Sequence, residues 1–263
     1  MINWGKILVY MLILVVSAFI ILPILFTIVG SFSAYWGTSM FSKGWTLKWY
    51  QDVFRYYGDT ILFTFIISLL TVLINIILGT MTAYRFSQSS SRWMKLAEEV
   101  LTLPLGIPGV ATALALIQTH AMFREDGYLI LIGHIIVTFP LMFRTVLGTL
   151  RTKNFKLLDE GAASLGAGPF YRFFRVILPS IRSAVLSGAM LVFLLSLGEF
   201  NMTFFLYTPL RVTLPVGLYE AYASLRIEIG SAYTVIFLII AIPLMFLLHK
   251  LNQTSALTRN GGS

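Results

Sequence analysis

Two carboxylates are placed where they could do chemistry. Glu199 lies in Leu197-Gly198-Glu199-Phe200-Asn201, inside an apolar run that begins at Ser183. It stands 16 residues beyond Ser183, about 24 Å along a helix at 1.5 Å per residue. A carboxylate at that depth is expensive and faces a cavity or a partner. Glu199 and Asn201 therefore either line a polar path or serve a structural ion pair or hydrogen bond to a neighbouring helix. Glu160 lies in Asp159-Glu160-Gly161-Ala162-Ala163-Ser164-Leu165-Gly166-Ala167-Gly168-Pro169, between two long apolar runs, at the membrane surface.

Residues for group chemistry are missing. The chain has no Gly-x-x-x-x-Gly-Lys-Ser/Thr phosphate loop, so it is not expected to bind ATP by itself. It has no His-Glu-x-x-His pair and no Gly-x-Ser-x-Gly elbow. Cysteine is absent, which removes disulfides, iron–sulfur clusters and thiolate metal sites. His120, His134 and His249 are scattered without metal spacing, and each reads as a polar group satisfied inside a helix bundle. No catalytic residue, metal or cofactor is expected.

Composition says where these residues sit. Of 263 residues, 57% are hydrophobic and 11% charged, with a mean hydropathy of +0.84. A soluble domain carries about 25% charged residues, so this is an integral membrane protein. The net charge of +8 reads as a cytoplasmic excess of Lys and Arg rather than a nucleic-acid surface.

Six apolar runs predict one all-α membrane domain over residues 1–263, with spans at about 7–29, 60–84, 96–122, 128–147, 183–207 and 231–248. The first is too long for a signal-peptide core and reads as an anchor. Trp45, Trp49, Tyr50 and Tyr56 crowd the first outer loop, where Thr46 to Phe54 predicts a short interfacial helix whose aromatics set membrane depth. Asn75, Gly79, Thr80, Thr82 and Ala83 mark a second span packed on other helices rather than on lipid. Pro104-Leu105-Gly106-Ile107-Pro108-Gly109 must bend or unwind the third span. Broken helices are tolerated where they face protein or water. Pro104 and Pro108 thus mark either a gate or a fixed kink.

Charge sets the orientation. With the N-terminus inside, thirteen of the nineteen Lys and Arg lie on the inner side: Lys6, Arg85, Arg92, Lys95, Arg144, Arg151, Lys153, Lys156, Arg172, Arg175, Arg182, Lys250 and Arg259. That bias puts both termini and the 148–182 loop in the cytoplasm.

This loop is the best punctuated part of the chain. Asn154 can cap a first helix. Gly166 and Gly168 can end it, since glycine tolerates the left-handed cap. Pro169 suits the first position of a second helix. Phe170, Phe173, Phe174 and Ile177 then recur on one face, and Pro179 is expected to stop that helix. A partner or the lipid headgroups would cover the phenylalanines.

These residues resemble the EAA loop of ABC-importer permeases: Glu-Ala-Ala, three residues, Gly, nine residues, Ile, one residue, Leu-Pro. Glu160, Ala162, Gly166, Leu178 and Pro179 fall on that pattern, with Gly161 for the first Ala and Val176 for the Ile. Gly198-Glu199-Phe200 resembles the Gly-Glu-Phe of several importer permeases, and Thr213-Leu214-Pro215 resembles a stretch of the polyamine, iron and phosphonate branch. The resemblance implies a type I importer fold with six transmembrane helices in a bacterial inner membrane. It implies a cytoplasmic ATP-binding subunit that docks on Glu160, Gly161, Ala162, Gly166, Leu178 and Pro179. It also implies a second permease subunit, identical or different, and a periplasmic solute-binding protein. The expected substrate is a small polar or charged solute: a polyamine, ferric iron, an aminophosphonate or thiamine. An intramembrane enzyme would need converging groups beyond Glu199 and His134, and an ion channel would not need the loop.

Overall fold

Apolar stretches long enough to cross a bilayer become long helices in the computed structural model of the chain, which describes residues 4–36, 44–89 and 91–260. Lys43 and the Gly261-Gly262-Ser263 end lie outside the described residues. The helices are α1 (Trp4–Ser31), α2 (Lys48–Ser87), α3 (Arg92–Thr102), α4 (Gly109–His120), α5 (Tyr128–Leu150), α6 (Lys153–Ser164), α7 (Pro169–Ser180), α8 (Arg182–Leu197), α9 (Thr203–Leu206), α10 (Leu214–Ala223) and α11 (Ile227–Asn260). Four of them are long and apolar enough to span: α1, α2, α5 and the Ile227–Phe246 part of α11. Two bent pairs raise the number to six if each is one span. They are Arg92–Leu105 with Gly109–Phe123, bent by 98°, and Pro169–Ser180 with Arg182–Leu197, bent by 75°.

The chain packs as two units, Met1–Asp59 with Gly217–Ile240, and Thr60–Val216 with Ala241–Ser263. In the first, the apolar stretch of α1 buries none of its residues, as a lipid-facing span requires. The aromatic loop is tied down by polar tips: Trp49 Nε1 donates to the Ser33 carbonyl at 2.8 Å and the Tyr50 and Ser31 hydroxyls share a hydrogen bond. Tyr57 breaks the helical backbone (φ −131, ψ 15) between the short aromatic stretch of α2 and its long apolar part. The Tyr57 and Tyr233 rings meet at 5.4 Å.

In the second unit α5 is the central post, with Leu129, Ile130, Met142, Phe143 and Val146 all fully buried. In lipid there is no hydrophobic drive between helices, so close packing and hydrogen bonds hold them together. Asn75, Thr80 and Ala83 of α2 are accordingly buried, and the Asn75 amide donates to Thr138 Oγ1 of α5 at 2.8 Å.

The run read as a fifth span to Tyr207 is not one helix. α8 stops at Leu197, where the Gly198 N–H closes on the Leu194 carbonyl at 3.2 Å. The chain then turns through residues 198–202 before α9.

Candidate coupling loop and helix breaks

The exposed loop forms as a helical hairpin. α6 starts at Lys153, so Thr152 rather than Asn154 holds the capping position. Its end is a Schellman turn. The Gly166 N–H bonds the Ala163 carbonyl at 2.9 Å, the Ala167 N–H bonds the Ala162 carbonyl at 3.1 Å, and Gly166 has φ +84. Gly168 is different. It has φ −68 and caps the start of α7, with Pro169 in the first turn.

Glu160, Gly161 and Gly166 are exposed and Ala162 is half-buried. The Glu160 carboxylate is 3.9 Å from Lys156 Nζ, an open surface pair. Nothing lies within 4 Å of a Cβ built on Gly166 or Gly161. This face of α6 is therefore free among the described residues.

α7 departs from the expected single apolar face. Phe173 and Ile177 are buried, whereas Phe170 is 76% and Phe174 50% exposed. The cause is a π-helical turn over Arg172–Ile177, in which the Leu178 N–H reaches back five residues to the Phe173 carbonyl. The wider turn breaks the three-and-four spacing of the apolar residues, while the Phe173 and Phe174 rings stay in edge contact at 4.8 Å. It also makes room for Pro179, whose ring would crowd the carbonyl four residues back in an α-helix. So Pro179 does not stop α7, which runs through half-buried Leu178 to Ser180 and ends at Ile181 (φ −103, ψ 13). Phe170, Phe174, Pro169, Met81 and Tyr84 line an apolar groove beside it.

The third-span break is built by its prolines. Leu103–Leu105 forms a tight turn with Pro104 in it, closed by the Gly106 N–H on the Leu103 carbonyl at 2.8 Å. Pro108 has φ −56 and ψ 134 and caps α4. A proline keeps the preceding residue out of the helical region, so the axis must turn between Gly106 and Pro108.

The second break, after Gly198, is held by Glu199. Its carboxylate accepts the Met202 N–H at 2.8 Å, the Thr203 N–H at 2.9 Å and the Thr203 hydroxyl. These donors satisfy the charge locally, and its side chain is only 10% exposed. The two breaks meet. A Cβ on Gly109 would stand 3.2 Å from the Met202 nitrogen and 3.5 Å from Asn201 Cβ, so any larger residue would push the two breaks apart by a few tenths of an ångström. Met202 is fully buried and packs in one cluster with Leu129, Ile130, Ala113 and Leu206. Pro108 and Asn201 remain exposed beside the contact, and Pro104 is half-buried.

Sequence reasoning missed the partners that lock Glu199 in place. His134 of α5 is buried, with Nε2 2.8 Å from Thr203 Oγ1 and Nδ1 2.7 Å from Ser196 Oγ. Its Nε2 is 3.8 Å from Glu199. The directions fix one another. Thr203 donates to the carboxylate, so it accepts from the imidazole Nε2–H, and in the neutral ring Nδ1 accepts from Ser196. Thr138 donates to the His134 carbonyl at 2.6 Å and accepts from Asn75. His134, Glu199 and Asn75 are the members of this set with a sequence-level signal, because each is a strongly polar residue inside an apolar run. Among the described residues no cluster of three His, Cys, Asp or Glu could hold a metal.

Helices broken where they meet, and a helical hairpin with one exposed face between membrane segments, suit movement of a solute better than group chemistry. The class is a multi-pass membrane permease. The chain belongs to the family of binding-protein-dependent transport system inner membrane components, whose model matches residues 75–255. It is an inner-membrane permease component of an ABC importer, a transport subunit and not an enzyme. Salmonella typhimurium PhnV, a permease protein ascribed to 2-aminoethylphosphonate transport, is 26% identical over 238 residues, 89% of each chain. The putrescine permease PotI of Escherichia coli K12 is 28% identical over 220 residues, 77% of this chain and 75% of that one. A bacterial ABC transporter that imports the acidic polysaccharide alginate shares the fold, with a TM-score of 0.77 at 15% identity over 96% of both chains.

Proposed function

We propose that this chain forms half of a translocation path, completed by a second permease subunit, and that a cytoplasmic ATP-binding subunit drives it through α6. The observation that carries this reading is the free face of α6 around Glu160, ended by the left-handed Gly166. Glu160 pairs there with a cationic side chain of the ATPase, and Gly161, Ala162, Leu178 and Pro179 shape the docking hairpin. Both termini and this hairpin are cytoplasmic, and a periplasmic binding protein delivers substrate to the other side.

The gate is the place where Pro104–Gly109 meets Glu199–Met202. Two bends of different origin in contact support this, since a static bundle needs neither. The substrate is a small polar or charged solute of the polyamine, ferric iron, aminophosphonate or thiamine class. The relatives PhnV and PotI are named for transport of 2-aminoethylphosphonate and putrescine.

Orientation gives the test. A reporter fused after Lys95 or Arg182 is expected in the cytoplasm, and one after Lys43 or Arg211 in the periplasm. A periplasmic Arg182 fusion would put α6 out of reach of any ATPase and overturn the reading.

A further inference from the structure

We propose that α2 is the rod that carries movement of the docking helix to the gate, clasped by Asp159 at one end and Asn75 at the other. This rests on the docking and gate readings above and goes beyond them in assigning the transmitting contacts.

At the cytoplasmic end, Asp159 and Glu160 are neighbours that point differently, as a step of about 100° around a helix requires. The Glu160 side chain is 60% exposed, but that of Asp159 is only 15% exposed. The Asp159 carboxylate accepts from the Tyr84 hydroxyl on the last turn of α2 at 2.8 Å and from the amide of Gln88, just past its end, at 3.2 Å. Arg172 Nε of α7 lies 3.6 Å from the same carboxylate and makes no hydrogen bond of its own. One side chain thus joins α6, α2 and α7. The Tyr84 ring adds contact with Phe173 at 5.1 Å.

Tyr84 stands nine residues from Asn75, about 14 Å of unbroken helix. Asn75 then bonds Thr138, Thr138 bonds the His134 carbonyl, and the His134 ring bonds Thr203, which bonds Glu199 at the break. Each link is a directed hydrogen bond or a rigid helix. A push on α6 therefore has a continuous route to residues 198–202 through buried and half-buried side chains. A route of this kind is established only by coupling measurements.

The cysteine-free chain allows one spin label, on a cysteine placed at the exposed Asn201. The label is followed in the assembled permease–ATPase complex with and without a non-hydrolysable ATP analogue. In the parent chain the analogue is expected to change the spectrum. Asp159→Ala is expected to keep the ATPase bound while the response falls roughly fivefold or more, the scale of a coupling energy. Asn75→Leu should do the same, and the double variant should lose no more than either alone, since both cut one route. Tyr84→Phe, which keeps the ring packing, covers the case in which Asp159→Ala does not assemble, and should weaken the response. A full response in Asp159→Ala or Tyr84→Phe, or losses that multiply independently, would overturn the rod. A parent chain that binds no ATPase removes the docking reading. One that binds ATPase but shows no spectral change removes the gate reading, and the proposal falls with either.

Discussion

Replacing Gly166 by valine is expected to leave the chain inserted in the membrane but unable to hold its ATPase. The backbone there has φ +84, where a β-branched residue is strained, and the space around it is open. The damage is therefore conformational rather than steric. Forcing an L side chain into the left-handed region costs about 1–2 kcal/mol. The chain avoids that cost by unwinding the last turn of α6, which releases the Ala162 and Ala163 carbonyls and swings Glu160 out of register. Gly168→Ala is the control, since φ −68 and ψ 160 suit any residue and nothing lies within 4 Å of its Cβ. Glu160→Lys should reach the same result by another route, placing a cation where the partner's cation is expected. The measurement is ATPase recovered per permease after pull-down from detergent-extracted membranes. Normal recovery and transport in both Gly166→Val and Glu160→Lys would remove the hairpin from the docking surface.

Glu199→Gln should abolish most transport while membrane yield stays normal. The carboxylate now receives two backbone N–H groups and the Thr203 hydroxyl. A glutamine of the same size has one oxygen in place of two, and its NH2 group must face donors. Leaving a buried donor unpaired costs about 1–3 kcal/mol. That is enough to reshape the turn at 198–202 and too little to unfold a bundle built on α5 and α8. Pro108→Ala tests the opposing side of the same contact and should also lower transport without loss of yield. The check is substrate uptake beside the amount of folded permease in the membrane. If Glu199→Gln instead loses folded protein, its role is structural. If Pro108→Ala keeps both uptake and ATP hydrolysis, the third-span break is a fixed kink.

Much of this was legible because it is local. Two prolines within six residues had to break a helix, and Gly166 had to be left-handed if α6 was to end there. The aromatic crowding before Thr60 announced a separate short helix. What was not legible depends on distant partners. Glu199 reads as a charge inside a span until Met202, Thr203 and His134 are seen around it, and His134 lies 65 positions earlier. The apolar run after Ser183 carries no proline, so periodicity alone continues it to Tyr207. Only the carboxylate's hold on the next turn ends it. The π-turn of α7 likewise has no signature in composition. It split the phenylalanines between core and surface and carried the helix past Pro179. Asp159 stood beside the residue that drew attention, and its role follows from Tyr84 and Gln88, more than 70 positions away.

The most direct measurement is uptake into proteoliposomes holding this chain, its companion permease and the ATP-binding subunit, with the solute-loaded binding protein outside and ATP inside. Uptake is expected to need ATP and the binding protein together, and to vanish with Gly166→Val. Solute entry that persists without ATP, or is untouched by Gly166→Val, would contradict a permease driven through α6.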